Sequence, residues 1–206
     1  FSSLDRRTKV EMIKTFIEVG TCDFDTNLEL INSGEWLGVM CEPAPKYFKN
    51  LENIVEGSPF RENLHLENIA ISDFDGEIDF TVAKDMTTTD RSLGWARGIS
   101  SVTAENHKGE RIFDYKDNHK FVEEHITVPC MRLDSLIAKY KWEHINYLKL
   151  DVEGHETNII EDYSWDIKPD FIKLEHSHID DLYISNILRS HGYIVYNEQR
   201  DLYAIR

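Results

Sequence analysis

The sequence lacks most of the features that announce a common cofactor or compartment. Cysteine is scarce: Cys22, Cys41 and Cys130 are the three in 206 residues, scattered and without CxxC spacing. That excludes a disulfide framework and a zinc ribbon, and an unpatterned odd number of thiols fits a reducing, cytoplasmic compartment. No GxGxxG turn, GxxxxGK[ST] loop or HExxH helix occurs, so the dinucleotide fingerprint, the P-loop and the zincin motif are all missing. Positive charge is short as well. Lys and Arg number 23 against 38 Asp and Glu, a formal net charge of −15. A field of that sign repels the phosphate backbone on which nucleic-acid binding rests, so no nucleic-acid partner is expected. No apolar run approaches the roughly 20 residues that cross a bilayer, and no signal peptide opens the chain, so no membrane span is expected. The first residue is Phe1 rather than Met, and a place within a larger multidomain chain is one expectation.

What is present is a regular alternation of short apolar runs and amphipathic stretches, the pattern of an α/β fold with a parallel sheet. The length fits one domain over 1–206. Strands are expected at "TFIEVG" (15–20), "WLGVMCE" (36–42), "NLHLENIAIS" (63–72), within 73–83, at "EHITVPCMRL" (124–133), "INYLKLDVEG" (145–154) and "PDFIKLEH" (169–176). Helices are expected at 25–34 with Gly34 as the stop, 44–57, 134–142 capped by Asp134, 155–163 and 179–192. Residues 193–197 and 201–206 read as a closing antiparallel hairpin. The long polar stretch 84–120 has weak periodicity, and a loop of that length is expected to be an acceptor-binding loop or lid.

Polar groups recur at the C-terminal ends of the apolar strands: Glu18, Glu42, Asp151, Glu153, Glu175 and His176. In open α/β sheets that edge binds ligands. The turn after the first strand, "IEVGTCDFDT" (17–26), holds one glycine, Gly20, with Glu18 before it and Asp23 after it. A pyrophosphate needs glycines and a helix N-terminus, and carboxylates repel it. S-adenosylmethionine (SAM) carries a sulfonium and an ammonium and no phosphate. For that ligand one glycine suffices, the acids are favourable, and Glu42 is placed to accept both ribose hydroxyls.

Taken together, the motifs resemble the FkbM family of SAM-dependent methyltransferases. The strongest match is "INYLKLDVEGHE" (145–156), which is similar to that family's fourth-strand signature. "IEVGTCDFDT" resembles its first motif, with Glu18 for the more usual Asp and Asp23 for the more usual Gly. "CEPAPKYFKNL" (41–51), "NIAISDFDGEIDF" (68–80), "SSV" (100–102) and "VPCMRLDSL" (128–136) follow in the family's order. The resemblance implies a Rossmann-like class I methyltransferase fold: a mostly parallel seven-stranded sheet, helices on both faces and a C-terminal antiparallel hairpin. It also implies O-methylation of a sugar, a glycan or a polyketide hydroxyl.

On this resemblance Gly20 and Thr21 line the methionine end of SAM, with Glu18 and Asp23 nearby. Glu42 and Pro43 lie at the ribose, and Ala70, Ile71 and Ser72 flank the adenine. Methyl transfer to an alcohol requires alignment of the hydroxyl and removal of a weakly acidic proton. Two solutions stay open. His155 or His176 acts as a general base oriented by Asp151 or Glu153, or a divalent ion, Mg²⁺ or Mn²⁺, is held by Asp151, Glu175 and His176. Trp95, Arg97, Ser101 and Glu153 are candidate contacts to a sugar or glycan acceptor. Lys149, inside its strand, is expected to form a structural pair. Three readings compete: methylation of a small secondary metabolite, a SAM-binding module without chemistry, and a nucleotide-sugar glycosyltransferase using "DFD" at 23–25 or 73–75.

Overall fold

The computed structural model describes residues 13–22, 27–84, 100–102, 108 and 122–206. In chain order the elements are β1 (Lys14–Val19), α1 (Leu28–Asn32), β2 (Trp36–Cys41), α2 (Pro45–Val55), β3 (Leu64–Glu67), β4 (Ala70–Ser72), β5 (Gly76–Lys84), β6 (Val122–Arg132), α3 (Leu133–Tyr140), β7 (Tyr147–Leu150), α4 (Glu156–Asp162), β8 (Phe171–Glu175), α5 (Asp181–Ser190), β9 (Ile194–Glu198) and β10 (Asp201–Ile205). Seven strands form one sheet in the order β3-β2-β1-β7-β8-β10-β9. The first five run parallel. The last two close it, β10 lying antiparallel to both β8 and β9. Strand order reverses at β1, which touches β2 on one side and β7 on the other. That reversal opens a crevice beyond the C-terminal ends of β1 and β7.

Side-chain alternation along β1 distributes the core over both faces. Phe16 packs with Met40, Ile31 of α1 and Leu51 and Val55 of α2. Ile17 and Val19 point the other way, into a larger cluster with Leu136 of α3, Ile159 of α4 and Ile184 and Leu188 of α5. Glu18 therefore shares a face with Phe16, and the strand register sets it directly opposite Lys149 of β7. The start of α5 is fixed by Asp180, whose carboxylate accepts from the Tyr183 amide at 3.0 Å, a cap worth about 1 kcal/mol. Among the described residues no helix is long and apolar enough to cross a membrane.

Three local expectations are corrected. The single strand expected at 63–72 is two strands in different sheets. Asn68 interrupts it, its Nδ2 donating to the carbonyls of Glu42 at 2.7 Å and Pro43 at 3.1 Å. Beyond Asn68 the chain leaves the main sheet, and β4 joins a second sheet in the order β4-β6-β5. Asp134 does not cap α3: the N-cap is Arg132 without a side-chain bond, and Asp134 accepts instead from the amide and hydroxyl of Ser164 at 3.0 and 2.7 Å. The first helix is confined to five residues, Leu28–Asn32.

The small sheet stands over the strand ends. Phe80, Val82, Val128 and Cys130 pack with Cys22, Ala44, Tyr47 and Ala70. One wall of the crevice is thus the sheet edge and the other is this insertion.

Candidate active site

A cleft with about 470 Å³ of empty space lies between the two sheets. Its floor is Val19, Gly20, Cys22, Asp151 and Val152, from the turns after β1 and β7. Glu42, Pro43 and Tyr47 form one side, and Ile69, Ala70, Ile71, Phe80, Ser100 and Val102 the other. Of the residues expected to hold a cofactor, Gly20, Glu42, Pro43, Ala70 and Ile71 are therefore brought together. Asp23, Trp95 and Arg97 lie outside the described residues.

Gly20 is dictated by geometry. Its φ is +80°, and a Cβ there would sit 1.7 Å from the Asp151 carbonyl oxygen. Its amide and that of Thr21 both donate to the Cys41 carbonyl, at 3.0 and 3.2 Å. The turn is thus pinned between β2 and β7. The Thr21 hydroxyl is buried and has no hydrogen-bond partner among the described residues. A buried polar atom without a partner costs free energy, and Thr21 is not among the residues that line the cleft.

Glu42 directly follows β2, with 4% of its surface exposed. Its Oε2 accepts from the Cys22 amide and its Oε1 from the Ala44 amide, each at 2.7 Å. These two amides fix the orientation of the carboxylate. Glu18 lies deeper. It is fully buried, accepts from the Asn27 amide at 2.9 Å and pairs with Lys149 Nζ at 3.1 Å. Burial pushes its carboxyl above the ordinary range, against the pull of Lys149. It stands behind the turn and locks β1 to β7, and Lys149 is the structural partner the sequence suggested.

The candidate catalytic residues separate. Asp151 lines the cleft. His155 does not line it: its Nε2 is 3.0 Å from Ser72 Oγ, and Ser72 donates to Asp73 at 2.9 Å. Burial lowers the His155 pKa. Ser72 is likewise turned toward α4, away from the adenine wall it was expected to form. His176 donates its amide to the Arg200 carbonyl at 2.8 Å, and its Nε2 is buried without a partner among the described residues.

The expected metal set Asp151, Glu175 and His176 is not the one assembled. Donor atoms of Glu153, Glu175 and His178 lie within 4.8 Å of one another instead. The turn after β8, closed by the Ile179 amide on the His176 carbonyl at 3.4 Å, accounts for this. It directs His178, not His176, back beside Glu175. Two carboxylates and an imidazole are close enough to share a cation such as Mn²⁺, and close enough to form an acid–base pair. Glu175 is pushed up to about 7 by burial and by the nearby Glu153 and Asp151 carboxylates. Its folded pKa lies above the unfolded 4.5, so its contribution to stability is present below about 4.5 and is lost as pH rises through about 7. Glu175→Gln removes that loss. Thermal melts are expected to show the variant gaining on the wild type by about 1–3 kcal/mol at pH 8 and hardly at all at pH 4.5; an equal difference at both values would contradict this electrostatic account.

Two residues at the site were not anticipated in their roles. Glu156, 1% exposed, accepts from the amides of Val152 and Gly154 at 2.8 and 3.0 Å. Burial pushes its carboxyl well above the ordinary range. Ser101, expected to touch the acceptor, is also 1% exposed, and its hydroxyl donates toward the carbonyls of Val152 and Glu153 at 3.3 and 2.8 Å. Both side chains hold the loop after β7. The second "DFD" is structural too: Asp75 accepts from the Arg132 amide and the Ser135 hydroxyl, each at 2.8 Å.

A mainly parallel sheet whose last strands reverse, with a cleft over the single-glycine turn after β1, where the strand order reverses, defines a Rossmann-like methyltransferase fold. The chain matches the family described as "Methyltransferase FkbM domain" over residues 18–195, and it belongs to that family. Among solved structures it is similar to the methyltransferase FkbM from Methylobacillus flagellatus KT, at 12% identity and a TM-score of 0.58. That likeness covers 93% of this chain and 43% of the other, so the chain spans less than half the length of that relative. Precorrin-6y C5,15-methyltransferase from Geobacter metallireducens GS-15 aligns at 12% identity over 96% of this chain and 84% of its own, with a TM-score of 0.45. A Methanococcus jannaschii fibrillarin pre-rRNA processing protein aligns at 11% over 94% and 66%, with a TM-score of 0.43. Comparison with curated proteins gives no significant match. The family's description names a methyltransferase.

Proposed function

We propose that this domain transfers the methyl group of SAM to a hydroxyl of a sugar or glycan. The observation that carries the reading is the joint placement of Gly20 and Glu42 in one cleft, backed by Asp151. Gly20 lets the turn after β1 pack against the Asp151 backbone and so shapes the cleft floor, Glu42 offers an oriented carboxylate to a ribose diol, and Asp151 adds negative charge where a sulfonium would lie. When bound, SAM supplies an electrophilic methyl and a good leaving group. The protein's own work is to hold the acceptor oxygen in line, exclude water and take up a proton. The carboxylates and imidazoles at the ends of β7 and β8 suit that last task. A glycosyltransferase is disfavoured, because Asp75 of the described DFD is bonded to Arg132 and Ser135 and a pyrophosphate would meet acids at Gly20.

The acceptor class is tested with methyl-labelled SAM and a panel of mono- and oligosaccharides beside non-sugar alcohols and phenols. Label in O-methyl sugars is expected. Transfer only to non-sugar hydroxyls would move the domain to small-metabolite chemistry. In the same preparation, equilibrium dialysis of labelled SAM is expected to show about 10- to 100-fold weaker binding to Glu42→Gln, the loss of hydrogen bonds to a charged acceptor. Unchanged affinity would remove Glu42 from the ribose site.

A further inference from the structure

We propose that Phe80, carried to the cleft by the inserted sheet, is the ring against which the adenine of SAM stacks. The inference rests on the reading of the cleft as a SAM site.

Strand order gives the first reason. The sheet runs β3-β2-β1-β7 across the cleft. Asp151 and Val152 follow β7, Val19 and Gly20 close β1, and Glu42 and Pro43 follow β2. Ile69, Ala70 and Ile71 come next, after β3 and into β4. With the ribose at Glu42 and the sulfonium near Asp151, the base extends away from β7, toward residues 69–71. Glu42 and Asp151 are the charged residues among the described ones that line the cleft. The rest of the wall is suited to a flat, uncharged ring.

Alternation along the small sheet gives the second. Ile78, Phe80 and Val82 of β5 share one face. The register places Ile126 opposite Phe80 and Val128 opposite Ile78, on the same face. Cys130, two residues beyond Val128, pairs with Ala70 of β4. This face packs on Cys22, Ala44 and Tyr47. Of its β5 and β6 members, Phe80 alone lines the cleft among the described residues. Ile78, Val82, Ile126, Val128 and Cys130 serve the core of the insertion and stop short of the cleft wall.

The chemistry of the ring gives the third. Phe80 is 5% exposed and shares its cluster with Ala70 and Tyr47, which places it at the base end of the cleft. Tyr47 of α2 lines the cleft as well. The slot thus takes one aromatic side chain from the main sheet's helical layer and one from the insertion. Aromatic rings hold flat heterocycles by offset stacking or edge contact, which an aliphatic side chain of similar size does not reproduce. A base stacked on Phe80 bridges the two sheets.

The test uses the full chain and S-adenosylhomocysteine. In the wild-type complex, nuclear Overhauser contacts are expected between the Phe80 ring protons and adenine H2 or H8. Phe80→Leu keeps an apolar side chain in the small-sheet core. By calorimetry it is expected to bind this ligand about 5- to 50-fold more weakly. S-ribosylhomocysteine, the same ligand without its base, separates stacking from a core defect. Its affinity, measured by displacement of labelled SAM, is expected to be equal for wild type and Phe80→Leu. Val82→Ala trims the same core away from the cleft and is expected to bind S-adenosylhomocysteine as the wild type does. Unchanged affinity of Phe80→Leu for S-adenosylhomocysteine would overturn the proposal. So would an equal loss for both ligands, or a loss in Val82→Ala as large as that in Phe80→Leu. A wild-type complex whose adenine protons contact other side chains and not Phe80 would overturn it even if Phe80→Leu does not fold. A wild type that binds no S-adenosylhomocysteine would overturn the underlying reading, a result distinct from the others.

Discussion

Replacement of Gly20 by alanine is expected to abolish SAM binding and to lower stability by about 2–5 kcal/mol, a fall in melting temperature of roughly 5–15 °C. Two effects add. The φ of +80° disfavours any residue with a Cβ. The new methyl would also lie 1.7 Å from the Asp151 carbonyl oxygen, a backbone atom that no rotamer change can clear. Either β1 or β7 must shift at its end, and the cleft floor shifts with it. Gly57→Ala is the control, since a Cβ there meets nothing within 4 Å. Thermal melts with a titration of S-adenosylhomocysteine check both effects. A Gly20→Ala variant that melts like Gly57→Ala and still binds would refute the packing argument.

Lys149→Met is expected to cost about 3–5 kcal/mol, the loss seen when one member of a buried pair is removed. Glu18 is fully buried, and without the ammonium only the Asn27 amide remains among its described partners to support its charge. Its pKa, already raised by burial, rises further. A raised carboxyl pKa gives stability at low pH that is lost as pH climbs through the folded value. The defect is therefore expected to be larger at pH 8 than at pH 5.5 in urea denaturation. Adding Glu18→Gln to Lys149→Met is expected to recover part of it. A loss below about 1 kcal/mol at both pH values would show the pair to be dispensable.

Most of the main sheet was legible because period-two alternation and glycine stops are local signals. "TFIEVG" and "INYLKL" read as buried strands, and acids at their ends marked the binding edge. What was illegible depended on contacts distant in sequence. Asn68 splits the third strand by bonding to carbonyls 25 and 26 residues earlier, and no propensity reports that. Glu18 read as a ligand group because its partner, Lys149, lies 131 residues away. The register that sets them opposite is a tertiary fact. "EHSH" concealed His178 for a different reason. The sequence points to His176 as base or metal ligand, but a turn at 176–179 brings the first and fourth residues, Glu175 and His178, together. A glutamate and a histidine three apart across an expected turn was the available signal.

The central claim is that the cleft between the two sheets is a SAM site built on Gly20 and Glu42. Calorimetric titration of S-adenosylhomocysteine into the wild-type domain and Gly20→Ala tests it most directly. Saturable one-to-one binding to the wild type, absent in Gly20→Ala, is the predicted result. No heat with this ligand or with SAM, beside saturable binding of a UDP- or GDP-sugar, would contradict it.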